Sequence, residues 1–256
     1  MSIDTENLLR RLNEFDTLAR AGSAIDGFPW ESISPFASLW SQSWPSEVAE
    51  AIGDADDLAV ALEEDCPPGG PQWIALALRD GSTVPRTPDD GGTNDVVLWP
   101  GSAVVSESLD AAPLLIVGGA LTVEGWLRVN DGSTVVVAGG LKAHGVRCLG
   151  NLVVLGDIEV DFARAEGNGG IIFAQQLSCR LYDNPQLAVH ARVVAESAVY
   201  ERGGEKTRRS GTQGGSPESL LVEGLVQNEP GSGRAILAYD EIERRGVTKQ
   251  PVFRGG

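Results

Sequence analysis

Three carboxylates stand two residues apart in VLGDIEVDF: Asp157, Glu159 and Asp161. On an extended strand that spacing puts all three on one face. A pair of carboxylates held at fixed separation is the minimum equipment for general acid–base cleavage of a glycosidic bond. Ile158 and Val160 between them favour a plainer reading, in which polar residues meet solvent and the alternating apolar ones meet a core. A second acidic group, DADDLAVALEED at 54–65, opens with Asp54, Asp56 and Asp57 in the manner of a calcium loop. Its sixth position is Ala59 rather than the glycine on which such a loop turns, and Asp65 stands where a bidentate Glu should close the site. It reads as a solvated acidic helix. Of the two histidines, His144 in KAHG reads as a polar corner residue and His190 as one member of an alternating strand, each with a structural or surface role. GNGGII at 167–172 supplies glycines without the strand-then-helix context of a dinucleotide loop. HExxH, CxxC, Walker A and nucleophile-elbow patterns do not occur. The expectation is a chain with no catalytic residue, no metal site and no cofactor.

The elements that carry these residues repeat. VGGALTV, VAGGLKA, VLGDIEV, FAQQLSC and HARVVAE each place an apolar anchor after a turn-like pair: Leu121, Leu141, Ile158, Leu177 and Val193. The steps between anchors are 20, 17, 19 and 16 residues. Around each anchor the side chains alternate with period two, the signature of a strand. Secondary short strands lie between them at Leu127–Val129, Val146–Cys148 and Leu152–Val154. Three short strands with tight corners occupy roughly 16–20 residues, so one step has the length of one turn of a three-sided parallel β-helix. Gly118, Gly125, Gly139, Gly145, Gly150 and Gly156 fall at its corners, and ARAEGNGG at 163–170 is a bulging one. The predicted fold is mainly β, an irregular parallel β-helix with an α-helical N-terminal cap segment.

Ahead of the repeats, residues 5–21 form an amphipathic helix with Leu8, Leu12, Phe15 and Leu18 on one face. A second helix has Pro45 in its first turn and turns Val48, Ala51 and Ile52 inward, with a break at Gly53. Between them, DGFPWESISPFASLWSQSWP is aromatic and interrupted by prolines, a loop packed on something larger. Trp73 to Leu78 is a short apolar run before Asp80-Gly81, a strand-and-turn signal, and 83–95 reads as a polar loop. The boundaries that follow are an acidic, Trp-rich helical segment at 1–66 closing one end of a solenoid at 67–200, a flexible loop at 201–218, and a C-terminal strand and extension at 219–256 packed on the solenoid. In that extension SLLVEGLV adds a final strand, and GRAILAYDEIERRG a helix or strand ending near Gly246.

Charge divides the chain. The formal net charge is −16. Up to residue 110 there are 20 Asp or Glu against 5 Arg and no Lys, whereas the remainder carries 16 acids and 15 bases. Such a distribution disfavours nucleic acid, whose phosphates are held by clustered Lys and Arg. It favours a basic protein partner, steered by a field of one sign. Five of the six tryptophans (Trp30, Trp40, Trp44, Trp73 and Trp99) lie in the acidic half. Tryptophan ringed by acids is how an interface builds a hot spot. The partner-binding candidates are therefore Trp40, Trp44, Asp54, Asp56, Asp57, Glu63, Glu64 and Asp65. With no apolar run long enough to span a membrane, no secretory leader, and three cysteines (Cys66, Cys148, Cys179) in no close pair, the chain reads as a cytoplasmic protein with reduced thiols.

GALTVEGWLRV, VVVAGGLKAHGV and GNLVVLGDIEV resemble two related groups over about residues 112–200. One is the bactofilin-like, polymer-forming β-helix proteins. The other is the bacterial solenoid proteins that act as immunity proteins against toxins delivered by neighbouring cells. Bactofilin-like polymers are nearly bare solenoids that stack end to end, a pattern from which this chain departs in its acidic helical segment and C-terminal extension. The resemblance thus implies a non-enzymatic binding protein, foremost an immunity protein that occludes a basic toxin domain. A self-assembling structural β-helix and a carbohydrate-active β-helix enzyme are the alternatives. It transfers no functional residue.

Overall fold

A computed structural model of the chain describes residues 3–21, 23, 25, 44–52, 58, 61–62, 69–91, 95–167, 169–184, 187–200, 217–228 and 235–254. Its centre is a parallel β-solenoid of about six turns. The strands are β1 (Thr83–Arg86), β2 (Val96–Trp99), β3 (Ser102–Val105), β4 (Leu109–Asp110), β5 (Leu114–Val117), β6 (Leu121–Val129), β7 (Thr134–Val137), β8 (Leu141–Cys148), β9 (Asn151–Val154), β10 (Ile158–Ala165), β11 (Ile171–Asn184) and β12 (Ala188–Tyr200). From β6 onward the longer strands bend around corners, so one strand contributes to two or three faces.

The first face stacks Val84, Ala103, Leu121, Leu141, Ile158, Leu177 and Val193 in register. All five sequence anchors are on it, paired Cα to Cα. The ladder extends two rungs further back, where Ala103 is too small and Val84 too close to Pro85 to stand out. The second face stacks Leu109, Leu127, Val146, Ala163, Tyr182 and Ala198. The third stacks Val97, Leu115, Val135, Leu152, Ile172 and Val189. These inward columns form one continuous core, in which Leu121, Leu141, Ile158, Leu115, Val135 and Leu152 are fully buried. Each such side chain contributes about 1.5–3 kcal/mol by leaving water. Corners are tight: Gly101 has φ +68°, and a Cβ there would collide with the side chains of Asp80 and Ser82.

Two of the three outer flanks are covered by the chain itself. On the third face the outward column Leu98, Ile116, Val136, Val153 and Phe173 is apolar too. Strands such as TVVV and NLVV are therefore hydrophobic on both sides, the mark of a sheet buried on both. Against this column pack α1 (Thr5–Arg20), α2 (Pro45–Ile52) and α3 (Gly70–Ala77), through Leu8, Leu12, Val48, Ile52, Trp73, Ile74 and Leu76. The helical segment thus lies along a flank of the solenoid, not over its end as expected, because the flank offers the larger apolar surface. Helix α1 starts where Asp4 caps it, its carboxylate accepting from the amide of Asn7 at 3.0 Å. Leu58 and Leu62, from the expected helix at 54–65, are buried in the same core; the rest of that stretch falls largely outside the described residues.

Two local expectations are corrected. The run at Trp73–Leu78 belongs to helix α3 and its C-cap, not to a strand. A short apolar run has no diagnostic period, and Pro71 in the first helical turn after the left-handed Gly69 was the deciding signal. Within the expected polar loop at 83–95, Thr83–Arg86 is the edge strand β1 and Pro88–Gly91 a 3₁₀ turn. The Ser102 amide donates to the Ser82 carbonyl at 2.7 Å. Bonding alternates along a strand, so Pro85 turns its donor-less nitrogen away from the ladder, which lets proline sit there.

The second flank carries the aromatic pair Trp126 and Phe162, with Gly145 between the two rings and Leu181 on the next rung. A Cβ on Gly145 would stand 2.6 Å from the Trp126 indole, so only glycine lets that ring lie flat across the rung. Over this row folds the C-terminal segment: α4 (Pro217–Leu220), the antiparallel hairpin β13 (Val226–Asn228) and β14 (Ala235–Leu237), and α5 (Tyr239–Val247). Leu221, Leu225, Leu237, Ile242, Val252 and Phe253 close the third core. SLLVEGLV thus supplies α4 and a turn rather than a further rung, and the hairpin is separate from the solenoid sheet. Beside the aromatic row, Arg128, Arg147 and Arg164 stack in register and are each neutralised. Arg128 pairs with Asp110 and with Glu243 of α5, Arg147 with Glu166 at 2.7 Å, and Arg164 with Glu166 at 2.6 Å. Tyr239 donates to Asp183 at 2.7 Å beneath the Arg164 guanidinium, and burial pushes its phenol pKa up.

Candidate functional site: the uncovered face

What remains is the outside of the first face. Its strands alternate strictly, as in LTVE, LKAH, IEVD and LSCR, because one side meets the core and the other meets water. One outward column runs Val104, Thr122, Lys142, Glu159, Ser178, Val194. Two residues along each strand lies a second column: Glu124, His144, Asp161, Arg180, Glu196. Charges of opposite sign meet across successive rungs. Lys142 Nζ is 2.7 Å from Glu159, His144 Nδ1 is 2.9 Å from Asp161, and Arg180 Nε is 3.4 Å from Glu196. Lys142, Glu159, Asp161, Arg180 and Glu196 line a shallow groove of about 610 Å³. A cleft of about 340 Å³ continues it past His144 and Arg180, walled by Lys249–Phe253 of the C-terminal segment. The Arg180 guanidinium lies 4.2 Å over the Phe253 ring, fixing that wall.

Glu159 and Asp161 share the open face as their spacing required, while Asp157 is exposed at the corner before β10. Each of the two outward carboxylates has a basic side chain on the preceding rung. The arrangement is a checkerboard of paired charges rather than an acid facing a base across a substrate-sized gap. His144 lies within β8, half-buried, where that strand passes from the first face at Leu141–Ala143 to the second at Gly145–Cys148. Its Nε2 and the Nε1 of Trp126 are buried without a hydrogen-bond partner, both against Gly246 of α5. Burial lowers the pKa of His190. Cys148 and Cys179 are buried in the solenoid interior, and burial pushes both thiols up to about 12.

Of the residues singled out for partner binding, Trp44 is described. It is 41% exposed just before α2, with the Arg20 guanidinium 4.8 Å from its ring. Arg20 is itself held by Asp16 at 2.7 Å. Trp73, Trp99 and Trp126 are buried in the three cores. Trp40, Asp54, Asp56, Asp57, Glu63, Glu64 and Asp65 lie outside the described residues, as does Cys66. The basic members of the checkerboard, Lys142, His144 and Arg180, escape a reading of single strands. The columns one and three residues after each anchor are the signal that finds them.

Among the described residues no group of three or more His, Cys, Asp or Glu is placed to hold a metal ion, and no helix is long and apolar enough to cross a membrane. Among the described residues, fold and site together define a three-sided β-solenoid with two flanks covered and one polar face open. Comparison with known protein families, curated proteins and solved structures finds no match.

Proposed function

We propose that the chain is a non-enzymatic, cytoplasmic protein-binding scaffold, and within that class an immunity protein that occludes a basic toxin domain. The observation that carries the reading is the open first face. Two flanks are sealed by the chain's own apolar cover, and the third keeps a polar groove in which the outward acids are already ion-paired. A rigid surface of that kind recognises by charge and shape, and its paired carboxylates are poorly suited to proton transfer. The net charge of −16 selects a basic partner, and exposed Trp44 beside Arg20 is the aromatic anchor nearest the acid-rich segment. Self-stacking of solenoids is opposed by Pro85, which removes a donor from the edge strand β1.

The test is co-expression with the product of the gene immediately upstream, reading both growth protection and a stoichiometric complex. Protection with a complex that weakens as salt rises through the physiological range, where the screening length is about 8 Å, is the expected result. Neither protection nor a complex overturns the immunity reading. Concentration-dependent filaments in sedimentation would replace it with self-assembly, and turnover of a glycan abolished by Glu159→Gln would replace it with catalysis.

A further inference from the structure

Five arginines precede residue 110 in the acidic half. Arg10 is paired with Glu14 and Arg20 with Asp16, and Arg86 lies 5.6 Å over the Trp99 ring. The remaining two, Arg11 and Arg79, form no ion pair among the described residues and converge on one place. Arg11 reaches from α1 and donates through Nη1 to the carbonyls of Ala77, at 2.7 Å, and Arg79. Arg79 donates through Nη2 to the carbonyl of Ala138 at 3.1 Å. Each contact uses one nitrogen of the fork. Both side chains line the same side of the corner, beside Gly101 and Ser102.

That side is a cleft of about 380 Å³ at the corner between the third and first faces. Three successive turns present Gly101, Gly119 and Gly139 there, so no side chain of that column fills it; the column continues through Gly156 to Gln175. Ser102 also lines it. The Ser102 oxygen already accepts from the Ala120 amide at 3.0 Å, which leaves its hydroxyl hydrogen as a third donor. Asp80 stands at the rim with its Oδ1 occupied by the amide and hydroxyl of Ser82, at 2.8 and 2.6 Å. Burial, with the like charges of Arg10 and Arg79 outweighing the opposite charges of Glu14 and Asp80, lowers the pKa of Arg11.

We infer that this cleft binds a phosphate-class oxyanion, held by the free edges of the Arg11 and Arg79 guanidiniums and by the Ser102 hydroxyl. Planar forks match a tetrahedral oxyanion bidentately, and the glycine corner lets it approach the backbone without steric cost. The inference is independent of the open face and of any protein partner. Calorimetric titration of the full chain at low ionic strength with inorganic phosphate, and separately with phenyl phosphate, tests it. Saturable binding is expected, weakened at least tenfold by Arg79→Gln and at least threefold by Ser102→Ala, with Arg10→Gln unchanged. Tighter phenyl phosphate than phosphate would identify a monoester as the ligand, and the reverse the free ion. Because Arg11 also supports the end of α3, Arg79→Gln and Ser102→Ala carry the test, each checked for a native circular dichroism spectrum. No saturable heat up to about 10 mM of either probe overturns the site, and so does a loss of binding in Arg10→Gln as large as in Arg79→Gln.

Discussion

Replacing Gly246 by alanine separates a docked α5 from a merely adjacent one by the sign of its effect. Gly246 is buried where the last turns of α5 meet the second flank. A Cβ there would stand 2.6 Å from His144 Nε2 and 2.6 Å from Trp126 Nε1. Neither neighbour yields easily: Trp126 is 2% exposed under Phe162, and His144 is tied to Asp161 at 2.9 Å. Overpacking of this kind costs about 1–3 kcal/mol. Against it, alanine gains about 1 kcal/mol of helix propensity over glycine. The steric cost wins, leaving a net loss of up to about 2 kcal/mol, which in a chain of this size lowers Tm by roughly 2–8 °C. Differential scanning calorimetry of Gly246→Ala reads the change, and amide exchange across Tyr239–Val247 shows whether it is confined to α5. A rise in Tm would mean that propensity alone acts, and would refute the contact between α5 and the Trp126–His144 pair.

Phe162→Ala should destabilise by about 3–5 kcal/mol, measured in urea, because Phe162 is 1% exposed between Trp126 and the C-terminal segment. Cys148 and Cys179 should resist a thiol reagent in the native state and react once unfolded, since burial raises both thiols from 9.0 to about 12. A raised folded pKa contributes stability that is complete below the unfolded value and is lost as pH climbs toward the folded one. Stability should therefore fall between about pH 9 and 12, and the double variant Cys148→Ala, Cys179→Ala should flatten that fall in pH-dependent unfolding. Lys142→Glu should cost under about 1 kcal/mol in thermal unfolding, because Lys142 and Glu159 are 67% and 57% exposed in their side chains. Glu159→Lys should be as mild for folding yet weaken a basic partner at least tenfold, measured by calorimetry.

Much of the solenoid is written in the local pattern. A rung needs an apolar anchor after a turn, and Leu121, Leu141, Ile158, Leu177 and Val193 meet that requirement without help from distant sequence. The helical character of Trp73–Ala77 is harder to see, because a run apolar on all sides is the same string for a buried helix and a buried strand. The covered flanks are encoded as well, in the contrast between TVVV, which does not alternate, and LKAH, which does. At the candidate site the carboxylate column is visible within one strand. Its cations come from neighbouring rungs, so they become visible only when the 17- and 19-residue steps around β10 are laid in register.

The outward columns of the first face have a consequence for how such a molecule changes over time. Thr122, Lys142, Glu159, Ser178 and Glu196 belong to none of the three cores, while their neighbours Leu121, Leu141, Ile158, Leu177 and Ala195 belong to one. Substitutions in these columns leave the rungs beneath intact. The face is thus a writable surface on a fixed frame, free to change one rung at a time while the fold stays the same.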